Sequence, residues 1–159
     1  IAMKANPPSA EVEAEVGYAG PLSGYLASLA CYLIYTGTDH KLFLVLAYTG
    51  AMMNLFNLIP VSPLDGGRVV TAISRTLWIV GLVVLLAITV LHPTPILFLV
   101  MILGGVELWR HWKRPAEETA AYYDTPVSVR LRIGIIYFGL IALLGILMYQ
   151  TTRVAGDAL

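Results

Sequence analysis

The chain has 159 residues, room for one domain of ordinary size, of which 58% are hydrophobic and 13% charged, with no net formal charge. A soluble domain carries about a quarter charged residues, so these few charges cannot clothe a water-facing surface, and lipid must cover much of it. Ten basic residues against ten acidic ones leave no excess for nucleic acid, and the single cysteine, Cys31, excludes an internal disulfide and reads as a small packing residue in an apolar run.

The chain opens on Ile1, and residues 1–17 hold three glutamates and no apolar signal-peptide core. The expectation is an internal cut in a longer protein. Glu11, Glu13 and Glu15 alternate as they would on an acidic strand face, but a solvated segment is expected. The first uncharged run is Val16 to Thr38, and its helix is expected to open at Gly20-Pro21-Leu22-Ser23-Gly24, because proline suits the first helical position. Gly20 and Gly24 form a small-residue pair that admits a neighbouring helix. The second run is Leu42 to Leu64.

The third run, Thr76 to Val106, is interrupted by His92-Pro93-Thr94-Pro95. The two prolines block helix continuation, which predicts a hairpin of two short helices over 77–91 and 95–109 in place of one kinked helix. Each half rises only ~22 Å at 1.5 Å per residue. The last run is Ile133 to Thr152. The chain therefore reads as all-α, a single polytopic membrane domain over 1–159 with about five hydrophobic helices. Arg68 and Arg75, and Arg110, Lys113, Arg114, Arg130 and Arg132, fall in two links. The positive-inside rule places these links, 65–76 and 109–132, on the cytoplasmic side of the plasma membrane. His40, His92 and His111 lie far apart in links or at helix ends and read as interfacial. Glu107 and Arg110 read as an interfacial pair of small worth.

The densest chemistry lies in Asn57-Leu58-Ile59-Pro60-Val61-Ser62-Pro63-Leu64-Asp65-Gly66-Gly67-Arg68. Asp65 is the only acidic residue between Asp39 and Glu107, and a carboxylate near a membrane core is read as functional by default. An N-cap for a helix beginning at Gly66, or a plain Asp-Gly turn, competes with that reading. The surroundings favour a site. Pro60 and Pro63 break the helix before Asp65, Gly66 and Gly67 loosen it after, and Asn54 and Asn57 add amides. Broken backbone at membrane depth is tolerated where it is buried in protein or lines a watery cavity. The combination suits a cation or an extended peptide.

The stretch Asn57-x-x-Pro60-x-x-Pro63-Leu64-Asp65-Gly66-Gly67-Arg68 resembles the second signature of the site-2 protease family of intramembrane zinc metalloproteases. Glu13-Ala14-Glu15-Val16-Gly17-Tyr18-Ala19-Gly20-Pro21-Leu22-Ser23-Gly24 is similar to the family's stretch before its third core helix. The resemblance covers residues 1–76; residues 77–159 match only as additional membrane helices.

The resemblance implies a zinc endopeptidase acting on transmembrane protein substrates within the lipid bilayer. Asp65 would be the third protein ligand of the zinc. Asn57 would meet the substrate backbone near the scissile bond, with Pro60 beside it in a loop shaped by Pro60, Pro63, Gly66 and Gly67. It also implies β-structure near the site, with a short strand within residues 1–8. The family's other signature, His-Glu-x-x-His, supplies two zinc ligands and the general base; this chain lacks it. No catalytic residue is therefore expected in this chain, and the base is expected upstream. Two alternatives stay open: a non-catalytic scaffold of the same fold that binds transmembrane segments, and a transport protein that binds an ion at Asp65 and Asn57.

Overall fold

The computed structural model describes residues 7, 9–74, 76–113 and 122–157. Among them the chain is all-α, in six helices: α1 Ala10–Thr38, α2 Lys41–Asn57, α3 Asp65–Ile73, α4 Thr76–Leu91, α5 Pro95–Trp112 and α6 Val127–Asp157. The strand expected within residues 1–8 falls outside the described residues apart from Pro7, as do Arg75 and Arg114 of the basic links.

Helix α1 starts ten residues before the expected opening at Gly20. Ser9 caps it, its Oγ accepting from the Val12 N–H at 3.4 Å, and Glu11 and Glu13 lie in the first turn where the helix dipole favours negative charge. The glutamates expected in a solvated segment thus lie at the start of a helix, and Pro21 sits inside it. Proline there leaves the Gly17 carbonyl without its usual helical donor. The helix ends at Asp39, whose φ of 52° is left-handed and whose N–H closes on the Tyr35 carbonyl at 2.8 Å. Asp tolerates this region because its short side chain bonds locally.

The 42–64 run, expected as one crossing, divides. Helix α2 stops at Asn57 because Pro60 disfavours a helical conformation at Ile59 and has no N–H to donate. A sixth helix, the short α3, then starts at Asp65 itself, with Leu64 as a cap residue that makes no side-chain bond. This displaces the reading of Asp65 as an N-cap. The prolines divide the 76–106 run as expected: α4 and α5 are two helices joined at 92–94, with Pro95 at the first helical position and the Thr94 Oγ1 accepting from the Leu97 N–H at 3.4 Å. Helix α6 extends beyond both ends of the 133–152 run to 31 residues, a rise of about 46 Å. It is the one helix among the described residues long and apolar enough to cross a membrane.

The packing forms two cores. Ala14, Ala51, Leu58, Val69, Val70, Ile133, Tyr137 and Leu144 join α1, α2, α3 and α6. Val61, Leu64, Leu85, Leu97 and Val100 join the 58–64 segment to α4 and α5. The two cores therefore meet at the break between α2 and α3. The start of α6 lies beside the start of α1: Arg132 Nη2 pairs with Glu11 at 2.8 Å and Glu15 at 3.1 Å, and the Tyr122 hydroxyl donates to Glu13 at 2.5 Å. Large apolar side chains cover the outer face, including Ile79, Val83, Val90, Phe98, Ile102 and Ile135.

Candidate functional site

Residues 58–64 reverse the chain through short backbone bonds. The Val61 N–H donates to the Ile59 carbonyl at 2.7 Å, Leu64 to Val61 at 2.9 Å, and Gly67 to Leu64 at 3.1 Å. Leu58 and Val61 are 1% and 2% exposed and point into different cores. The start and the middle of the break are therefore anchored by apolar burial as well as by the turn.

The reversal brings the end of α2 back to the start of α3. Asn57 Nδ2 donates to Asp65 Oδ2 at 2.6 Å. Both side chains are half-buried. A hydrogen bond to an ionised carboxylate is among the stronger ones, worth roughly 1.5–3 kcal/mol. It occupies one N–H of the amide and one oxygen of the carboxylate. Among the described residues, no partner takes the second N–H and the Oδ1 of Asn57 or the Oδ1 of Asp65.

Helix α1 packs directly over this pair. A Cβ on Gly20 would lie 3.1 Å from Asp65 Oδ2, and one on Gly17 would lie 3.0 Å from the Asp65 carbonyl oxygen. Gly24, four residues on from Gly20, lies against the Asn54 amide. The close approach expected of this pair therefore holds at both glycines, and Gly20 also borders the candidate site. Gly66 must also be glycine for space, since a Cβ there would run into the Leu58 carbonyl.

Pro60 lies in the turn, with its carbonyl against Gly81 of α4. The Gly67 carbonyl accepts from the Thr71 hydroxyl at 2.7 Å and from Trp78 Nε1 at 2.9 Å. The Leu58 carbonyl accepts from the Tyr137 hydroxyl at 2.6 Å. Gly81, Trp78 and Tyr137 all lie in the part of the chain read only as additional helices. A signal for Tyr137 was present: a buried tyrosine hydroxyl needs a partner, and its flanks in the last run are apolar.

The other candidates lie apart. His40 precedes α2 and stacks edge-on against Phe43 at 5.9 Å, and His92 is exposed at the end of α4. Glu107 and Arg110 form an i,i+3 pair at 3.6 Å with the arginine side chain 69% exposed, an arrangement of small worth. No group of three His, Cys, Asp or Glu side chains able to hold a metal occurs among the described residues. Asp65 is a sound oxygen donor for zinc, but these residues do not build a three-ligand zinc site. Compared with models of known protein families, with curated proteins and with solved structures, the chain matches none.

Proposed function

We propose that this chain is the part of a zinc-dependent intramembrane endopeptidase, of the site-2 protease type, that carries one metal ligand and the substrate-contacting loop. The observation that carries the reading is the 2.6 Å hydrogen bond from Asn57 to Asp65 across a broken helix. The sequence resemblance pairs these residues on paper, and the fold places them side by side. Asp65 Oδ1 is left for a cation, and the remaining N–H and oxygen of the Asn57 amide are left for a peptide backbone. Pro60, in the same turn, would border that backbone. When bound, the zinc would acidify a water and polarise the scissile carbonyl. In this reading the other two ligands and the general base come from polypeptide outside these 159 residues.

The apolar outer face supports a multi-pass arrangement in a lipid bilayer, since water-soluble monomers rarely expose such continuous apolar surface. Arg130 and Arg132 lie at the end where α1 and α6 both begin, which supports placing 109–132 on the cytoplasmic side. The 65–76 segment would face the same side.

The test is Asp65→Asn in the full protein, with zinc content and cleavage of a transmembrane substrate measured together. The asparagine keeps the size and an oxygen acceptor for Asn57 but is a poor zinc ligand. The expected loss in zinc affinity exceeds the roughly 10–100-fold that follows removal of a group hydrogen-bonded to a ligand. Full zinc occupancy with unchanged turnover refutes the assignment.

A further inference from the structure

We infer that Tyr137 is a positioning residue for the Asn57–Asp65 pair, acting through the Leu58 carbonyl; this rests on the protease reading of that pair. Leu58 follows Asn57 and closes α2. Its carbonyl faces the break, where no helical N–H four residues on is in place to meet it. Among the described residues its one hydrogen-bond donor is the Tyr137 hydroxyl, at 2.6 Å. Leu58 is 1% exposed and Tyr137 2% exposed, so water does not substitute for that donor.

The same carbonyl is where the two sides of the site meet. Gly66, bonded to Asp65, packs against the Leu58 carbonyl so closely that a Cβ would overlap it. Asn57 is attached to Leu58 on one side, and Asp65 rests on it through Gly66 on the other. A tyrosine has few rotatable bonds, and Tyr137 is packed in the main core among residues of α1, α2 and α3. The phenol therefore sets where the carbonyl sits, and the carbonyl sets the spacing of Asn57 and Asp65. Tyr137 makes no hydrogen bond to either side chain, so its effect is on their placement. It also gives α6, which lies beyond the stretch that resembles the protease family, a direct hold on the site.

The experiment uses Tyr137→Phe in the full protein, which removes one oxygen and keeps the ring. With a transmembrane substrate, kcat should fall about tenfold, as expected for a carbonyl left buried without its donor, while KM stays within about twofold because the substrate's contacts are unchanged. Added to Asn57→Ala, Tyr137→Phe should cost little more, since residues acting through one another are not additive. A reading independent of proteolysis uses single cysteines in a Cys31→Ala background. Ser62→Cys, in the break, should react faster with a water-soluble thiol reagent when Tyr137 is Phe. Gly37→Cys, with nothing within 4 Å at the far end of α1, should not change.

An unchanged kcat, a fully additive loss with Asn57→Ala, or faster labelling at both cysteines overturns the inference; the last two mark general loosening. If the wild-type protein holds no zinc and cleaves nothing, the protease reading falls. The two labelling rates then still decide whether Tyr137 holds the break.

Discussion

Gly20→Ala separates site geometry from helix stability, because the same substitution elsewhere in the molecule has the opposite sign. In the middle of a helix, alanine is favoured over glycine by about 0.8–1.0 kcal/mol. At Gly139 of α6 nothing lies within 4 Å of the added methyl, so Gly139→Ala should realise that gain and raise Tm by roughly 2–4 °C for a protein of this size or somewhat larger. At Gly20 the methyl would sit 3.1 Å from Asp65 Oδ2, a few tenths of an ångström inside ordinary contact. Asp65 must tilt away, and the oxygen that moves is the one holding Asn57 at 2.6 Å. Weakening that charge-assisted bond forfeits about 1 kcal/mol or more, which cancels or exceeds the helical gain. Thermal unfolding of the full protein in detergent micelles should therefore show Gly139→Ala stabilised and Gly20→Ala unchanged or lower. Turnover should fall only in Gly20→Ala, since small misplacements of reacting groups are costly. Equal stabilisation of both variants with equal turnover would refute the placement of Asp65 under α1.

Two further substitutions probe the polar contacts of the break. Asn57→Ala should weaken zinc binding less than Asp65→Asn does and lower kcat by about ten- to a hundredfold, as expected when an orienting hydrogen bond and a donor to the substrate are lost together; unchanged turnover removes Asn57 from the site. Besides the N–H of its own helix, the Gly67 carbonyl accepts from two side chains, Thr71 and Trp78, so Thr71→Val or Trp78→Phe alone leaves it satisfied and should cost about 1 kcal/mol of stability. Because both act on one carbonyl, the pair should depart from the sum of the singles by about 0.5 kcal/mol or more in denaturant unfolding. Simple additivity contradicts a shared carbonyl.

The parts of this structure legible in the sequence are those decided by local backbone chemistry. Pro60 ends α2 through its missing N–H and its restriction on Ile59, and Pro93 and Pro95 divide α4 from α5, Pro95 by opening the second helix. Asp65 and Asn57 stood out because polar groups in apolar runs are expensive. The start of α1 was obscured because alternating glutamates carry no helical periodicity, and Pro21 looked like a beginning; Ser9 and the dipole of the first turn decided otherwise. Helix α3 has nine residues, too few and too mixed to stand out from the runs that flank it. The contacts that enclose the site were not legible for a different reason. Tyr137 meets Leu58 across 79 positions of sequence, and Gly20 meets Asp65 across 45. Such meetings depend on how whole helices stack.

The length of that Tyr137–Leu58 connection also governs when the break can be completed. Non-local contacts form late because the intervening chain must first be ordered, and during synthesis α6 is the last of the six helices to leave the ribosome. Until residue 137 has emerged and α6 has packed beside α1, the Leu58 carbonyl lacks its donor and the 58–64 turn lacks one of its supports. A nascent chain carrying α1 to α5 would already contain Asn57, Pro60 and Asp65, yet not the clamp that holds them in register. The arrangement delays the finished geometry until α6 has been made and has packed against the helices that precede it.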